Sequence, residues 1–97
     1  MLDLGKIREF VWDAGNVDKS YKKYKITPNI AEEVFLDSNL YFIEDFKHSQ
    51  KEKRFSALGK TKKEKILFVS FTVKVNKIRI ISARPASRRE RRQYEKT

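Results

Sequence analysis

The chain has no cysteine, one histidine, one tryptophan, two prolines and three glycines among its 97 residues. Without cysteine there is no disulfide, no thiolate zinc site and no cysteine nucleophile, a composition that agrees with a reducing compartment. A single histidine, His48, excludes any mechanism that needs two imidazoles as acid and base. The scarcity of Gly and Pro beside seven Phe argues against disorder and for an ordered fold with a compact aromatic core. No apolar run approaches the roughly 20 residues of a membrane span. The opening MLDLGKIREF has no apolar stretch long enough for a signal peptide, so the expectation is a soluble cytoplasmic protein with no membrane partner. A chain of this length buries somewhat more than about 60% of its unfolded surface, enough for one core without metal or disulfide support. Residues 1–97 therefore read as a single domain, and no metal or other cofactor is expected.

Acidic residues are also scarce where basic ones gather. Residues 60–97 hold 13 Lys/Arg against Glu64, Glu90 and Glu95, whereas residues 1–59 carry 10 basic and 10 acidic side chains, so the last part of the chain accounts for the whole net charge of +10. A field concentrated in this way attracts and orients a polyanion, which points to a nucleic acid or an acidic protein as partner.

The periodicity predicts an α+β fold with an antiparallel sheet, two N-terminal helices after a first short strand, and one C-terminal helix. Arg8 to Trp12 reads as the first strand. Asp13 can cap a helix whose stripe is Val17, Tyr21 and Tyr24. Thr27 and Pro28, a cap followed by proline at the first helical position, restart a helix through Ala31, Val34 and Phe35. From Leu40 onward the period drops to two, with strands at about 40–44, 53–59, 65–74 and 78–84. The last three should form an antiparallel meander through connections at Lys60 to Glu64 and Val75 to Lys77. Pro85 stops the sheet, and Ser87 with Glu90 has the spacing of a capping box opening the last helix.

Strand parity sorts the charges. Arg54, Ser56 and Leu58 share one face, continuing to Lys60 if the strand extends that far, with Phe55, Ala57 and Gly59 on the other. On the last strand Ile78, Ile80, Ser82 and Arg84 fall on one face, and Arg79, Ile81 and Ala83 on the other. Arg79 and Arg84 should therefore not sit side by side unless a bulge or strand end intervenes. An arginine interleaved with apolar neighbours must meet an anion or the surface, because an unpaired buried charge is costly. The plain alternative is a structural ion pair with Glu44, Asp45 or Glu52.

The strings HSQKEKRFSALGK (His48 to Lys60) and IRIISARPASRRERRQY (Ile78 to Tyr94), with Val11-Trp12-Asp13 and Glu32 to Asp37 in the same order, resemble the BrnT family of ribonuclease toxins over roughly residues 10–95. The resemblance implies a RelE-like α+β fold and metal-independent RNA cleavage that halts translation. It also implies neutralisation by a protein antitoxin of BrnA type, through which alone DNA would be contacted. The family usually has Gly where Lys25 stands, so a strained cap or a changed turn is expected there. It also has Lys and Asn where Asn16 and Ser20 stand.

Metal-free cleavage by the 2′-hydroxyl needs a proton acceptor, stabilisation of charge at phosphorus and a proton for the leaving oxygen. Arginine grips two phosphate oxygens and stays charged, which makes Arg54, Arg79 and Arg84 the candidates for that role, with Lys60 adding a point charge. Glu52 and His48 are the candidates for proton transfer. Lys62 and Lys63 belong to a solvated hairpin tip that adds to the field. Arg88, Arg89, Arg91 and Arg92 cannot share one helix face, so some, with Arg88 and Arg91 the RNA candidates, meet RNA and others meet solvent or antitoxin. Tyr94 can stack on a base or pack the last helix on the sheet. The rival function is a non-catalytic binding module using the same basic surface; convergence of Glu52, Arg54, Arg79 and Arg84 on one pocket would separate the two.

Overall fold

The computed structural model describes residues 9–12, 14–45, 53–74 and 76–96. Strand β1 (Glu9–Trp12) leads into helix α1 (Ala14–Tyr24) and helix α2 (Pro28–Glu33), which tightens into a 3₁₀ turn at Val34–Leu36. Strands β2 (Tyr41–Asp45), β3 (Arg54–Lys60), β4 (Ile66–Lys74) and β5 (Lys77–Pro85) follow, and helix α3 (Arg88–Glu95) ends the described chain. Among the described residues no helix is long and apolar enough to cross a membrane.

The five strands form one sheet in the order β1-β5-β4-β3-β2. The β2 to β5 run is antiparallel, as the short connections require, but β1 pairs parallel with β5, Glu9 opposite Lys77 through Trp12 opposite Ile80. The sheet is therefore mixed, which corrects the expectation of an antiparallel one. A tight turn dictates the direction of the strands it joins, whereas β1 has no turn to its neighbour, and α1 and α2 carry the chain across one face to the far edge.

That face carries the larger core. Phe71 lies at its centre, edge-on to Phe35 at 5.1 Å and stacked on Phe55 at 5.6 Å between ring centroids. Ala31, Val34, Val69, Ile78 and Ile80 are buried around them. Gly59 is required here by close approach: a Cβ would meet Val34 Cγ1 at 2.4 Å and the Val34 carbonyl oxygen at 2.9 Å. The opposite face holds a smaller cluster, in which Leu58, Ala86 and Tyr94 pack with Tyr41, Ile66 and Phe68 beneath α3.

Thr27 caps α2 by accepting from the Ile30 amide at 3.3 Å. Helix α1 presents a different stripe from the expected one. Tyr21 is exposed, and Ser20 is buried, its hydroxyl accepting from the Ala83 amide at 3.4 Å. The reason is that β1 ends opposite Ile80, so the β5 edge beyond it needs a polar partner from the helix. Lys25 takes φ 60° and closes α1 with its amide on the Tyr21 carbonyl at 2.8 Å. This is the left-handed cap that glycine would supply without steric cost. Glu64 likewise takes φ 65°, following a turn closed by its amide on the Thr61 carbonyl.

Candidate functional site

Register decides which charged side chains share a face. Arg54 lies opposite Thr72, and Thr72 opposite Arg79, so the three form one row across β3, β4 and β5. The next row is Ser56, Ser70 and Ser82, and the one after it Leu58, Phe68 and Arg84. Between Ser70 and Phe71 the ladder shifts, Ile80 facing Phe71 and Ser82 facing Ser70, which leaves Ile81 as the extra residue of a bulge. The bulge reverses the parity of β5 beyond it, so Arg79 and Arg84 point to the same side. Simple alternation put them on opposite faces and gave the bulge as the exception.

Along this face the rows differ. Helix α3 covers the Leu58–Phe68 end, and the Arg54–Thr72–Arg79 row lies at the other end. Arg54 and Arg79 stand two strand spacings apart, about 9.5 Å, near enough for two long guanidinium side chains to approach one phosphate from either side. Thr72, between them, is 3% exposed, and its Oγ1 has no hydrogen-bond partner among the described residues. Parity and register together are the signal for Thr72; sequence reasoning named the arginines and passed over the residue that lies between them.

Arg84 is not part of that row. It stands four ladder steps along, about 13 Å, and its fork is filled: Nη1 and Nη2 donate to Glu90 Oε1 and Oε2, both at 2.8 Å. Its guanidinium lies 4.2 Å from the centroid of Phe68. The pairing with Glu90 raises the Arg84 pKa, against the opposing effect of burial. Glu90 Oε1 also accepts from the Ser87 amide at 2.8 Å, while the Glu90 amide donates to Ser87 Oγ at 3.2 Å, completing the expected capping box. The geometry thus makes Arg84 an anchor for α3, with Glu90 as its ion-pair partner.

Tyr94 is also a packing residue. It is 6% exposed, and its hydroxyl donates to Asp37 Oδ2, which leaves no ring face for a base. Burial, followed by the bond to Asp37, pushes the phenol up to about 12. Asp37 Oδ2 accepts from the Lys60 amide at 2.7 Å as well, and Oδ1 from the Asn39 amide at 3.0 Å. Burial opposes ionisation of Asp37, but the Tyr94 hydroxyl, the two amides and the Lys60 charge outweigh it and hold the carboxyl below the usual range. One carboxylate therefore joins the 3₁₀ turn, the end of β3 and α3.

Lys60 lies six residues along β3 from Arg54, about 20 Å, with Nζ 5.9 Å over the Tyr94 ring. It belongs to the α3 end and does not join the arginine row. Lys62 and Lys63 are exposed in the β3–β4 turn at that same end, and Arg88 and Arg91 are exposed on α3. His48 and Glu52 lie outside the described residues, as does Asp13. Among the described residues no three His, Cys, Asp or Glu gather as a metal-ligand set.

The sequence model of the family described as "Ribonuclease toxin, BrnT, of type II toxin-antitoxin system" matches residues 12–90. The crystal structure of the Brucella abortus ribonuclease toxin BrnT is similar in fold, with a TM-score of 0.63 at 23% identity, covering 82% of this chain and 97% of that one. No curated protein matches the sequence significantly. A family match over most of the chain, on a sheet and helix arrangement shared with a solved member, leads to one conclusion: the chain belongs to the BrnT family of ribonuclease toxins of type II toxin–antitoxin systems.

Proposed function

We propose that this chain cleaves RNA without a metal ion on the face carrying Arg54, Thr72 and Arg79, working as a RelE-like toxin that halts translation in the cytoplasm. The observation that carries this reading is the row itself. Two guanidinium side chains flank a hydroxyl whose hydrogen-bonding capacity is unspent within the described fold. Buried polar groups without partners are rare and call for an explanation, and a phosphate bound between the arginines supplies one.

In the reaction the RNA 2′-hydroxyl gives up its proton and its oxygen attacks the adjacent phosphorus. The 5′-oxygen then departs with a proton, leaving a 2′,3′-cyclic phosphate. Arg54 and Arg79 hold the phosphate oxygens as negative charge grows on them. Glu52 and His48 remain the candidates for the two proton transfers.

The antitoxin of BrnA type, itself the DNA-binding partner, is read as an acidic protein. Supporting this, a groove of about 560 Å³ between α2 and the β3–β4 turn is lined by Ile26, Ile30 and Leu67 together with Lys25, Lys62, Lys63 and Lys65, against Glu33 as the acidic residue in the lining. A lining of apolar and mostly basic side chains suits an acidic amphipathic protein segment better than a nucleic acid.

End-labelled RNA incubated with the protein in EDTA tests the proposal. Cleavage with cyclic phosphate ends is expected, lost in Arg79→Ala while the melting temperature stays within a few degrees, since Arg79 is exposed. RNA binding without cleavage by the wild-type protein would favour the non-catalytic module.

A further inference from the structure

Beside the arginine row, the same sheet face carries a row of small polar residues. Ile43, Ser56, Ser70 and Ser82 lie opposite one another across β2, β3, β4 and β5. Two ladder steps, about 7 Å, separate this row from Arg54, Thr72 and Arg79 on one side and from Leu58, Phe68 and Arg84 on the other. Serine extends one atom beyond Cβ, whereas arginine and phenylalanine reach much further, so the three serines floor a trough between the two rows. Ser70 and Ser82 are half-buried, and neither hydroxyl has a hydrogen-bond partner among the described residues. Ile43, exposed at the β2 end, offers an apolar surface on which a base can pack.

Helix α3 walls the far side of the trough. It starts at β5, where Glu90 holds Arg84, and ends toward β2, where Tyr94 reaches Asp37 and Gln93 Nε2 donates to the Tyr41 hydroxyl at 3.0 Å. The helix therefore crosses the strands and runs along the rows. Tyr94 leans toward the Lys60 end, since Asp37 also holds the Lys60 amide. Consecutive residues lie about 100° apart around a helix, so Gln93 leans the other way, toward the serines. Arg89, one turn before Gln93, shares that flank, whereas Arg88 and Arg91 fall on the Tyr94 flank and Arg92 points away from the sheet. Arg89 is exposed and has no acidic partner among the described residues.

We propose that this trough is a subsite for the nucleotide next to the cleaved bond, with Arg89 binding its phosphate and Ser70 and Ser82 its ribose 2′-hydroxyl. The proposal rests on the reading of the Arg54–Arg79 face as the cleavage site. The trough lies on that face, one row away, within the reach from one phosphate to the next along an extended strand. Hydroxyl contacts to the sugar select RNA over DNA at this position. The subsite touches no reacting atom, so its contribution is equal in the bound substrate and the transition state. It acts on KM and not on kcat.

The test uses the full chain, single-stranded RNA oligonucleotides, and matched oligonucleotides with one 2′-deoxynucleotide on either side of the nucleotide that supplies the attacking hydroxyl. Arg89→Gln is expected to raise KM about tenfold with little change in kcat, and to reduce the slope of log affinity against log salt by about 0.7, the value for one phosphate contact. At one of the two flanking positions the deoxy substitution should raise KM about fivefold in the wild type and leave it unchanged in Ser70→Ala/Ser82→Ala, as expected of groups in contact. Arg92→Gln, which removes a charge from the opposite side of α3, controls for a general loss of charge and should keep the parent salt slope. Parent KM and salt slope in Arg89→Gln, or equal deoxy penalties in wild type and serine variant, overturn the subsite and leave the cleavage reading standing, provided that Arg79→Ala is inactive. Should the wild-type protein cleave nothing, the cleavage reading fails, and the salt slope of RNA binding to Arg89→Gln still decides the subsite.

Discussion

Replacing Glu90 with Ala removes two things at once, the ion pair with Arg84 and the reciprocal half of the α3 capping box. Hydrogen bonds to charged groups contribute about 1.5–3 kcal/mol. The lower end applies, because the Arg84 and Glu90 side chains are 39% and 23% exposed and solvent screens the pair. The bond from the Ser87 amide adds about 0.5 kcal/mol. The expected loss is about 2 kcal/mol, which for a domain of this size lowers Tm by about 8–16 °C. The pH dependence gives a second reading. Hydrogen bonds from Arg84 hold the Glu90 carboxyl below its ordinary value of 4.5, against burial and with help from Ser87. A carboxyl depressed in the folded state contributes stability that is present above its unfolded pKa and is lost as pH falls through the folded one. The Tm gap between wild type and variant should therefore be full at pH 7, shrink below 4.5 and be smallest in strong acid. Thermal unfolding followed by circular dichroism across this range measures it. A gap unchanged in strong acid, or strict additivity of Arg84→Ala and Glu90→Ala in a double-mutant cycle, would refute the reasoning.

Gly59→Ala should destabilise by about 3 kcal/mol, the upper end for overpacking, since the new methyl meets the Val34 backbone and not only a movable side chain; denaturant unfolding checks it. Lys25→Gly should stabilise by about 1 kcal/mol, the cost of a left-handed residue with a side chain, and a parent-like Tm would count against the strained cap. Thr72→Val should hold or raise the melting temperature, because it removes a buried hydroxyl that the described fold leaves unpaired, while RNA cleavage falls. A drop in stability with full cleavage would make Thr72 a structural residue.

Much of the fold was legible locally. The capping box at Ser87 and Glu90, the Thr27–Pro28 helix start, the strand bounds from Leu40 onward and the two faces of β3 each depend on residues a few positions apart, and each is present. At Lys25 the resemblance, through the family's glycine, implied a strained cap or a changed turn, and the structure has the strained cap, with φ 60°. The direction of β1, the bulge at Ile81, the Arg84–Glu90 pair and the Asp37–Tyr94 bond were not legible. Each joins segments whose relation is set by pairing or packing, and one extra residue in a strand moves every side chain beyond it to the other face. Sequence alone thus named the arginines. Tertiary structure decided which of them share a row, with Thr72 between them, because register between distant strands is determined by how the whole core packs and by no single segment.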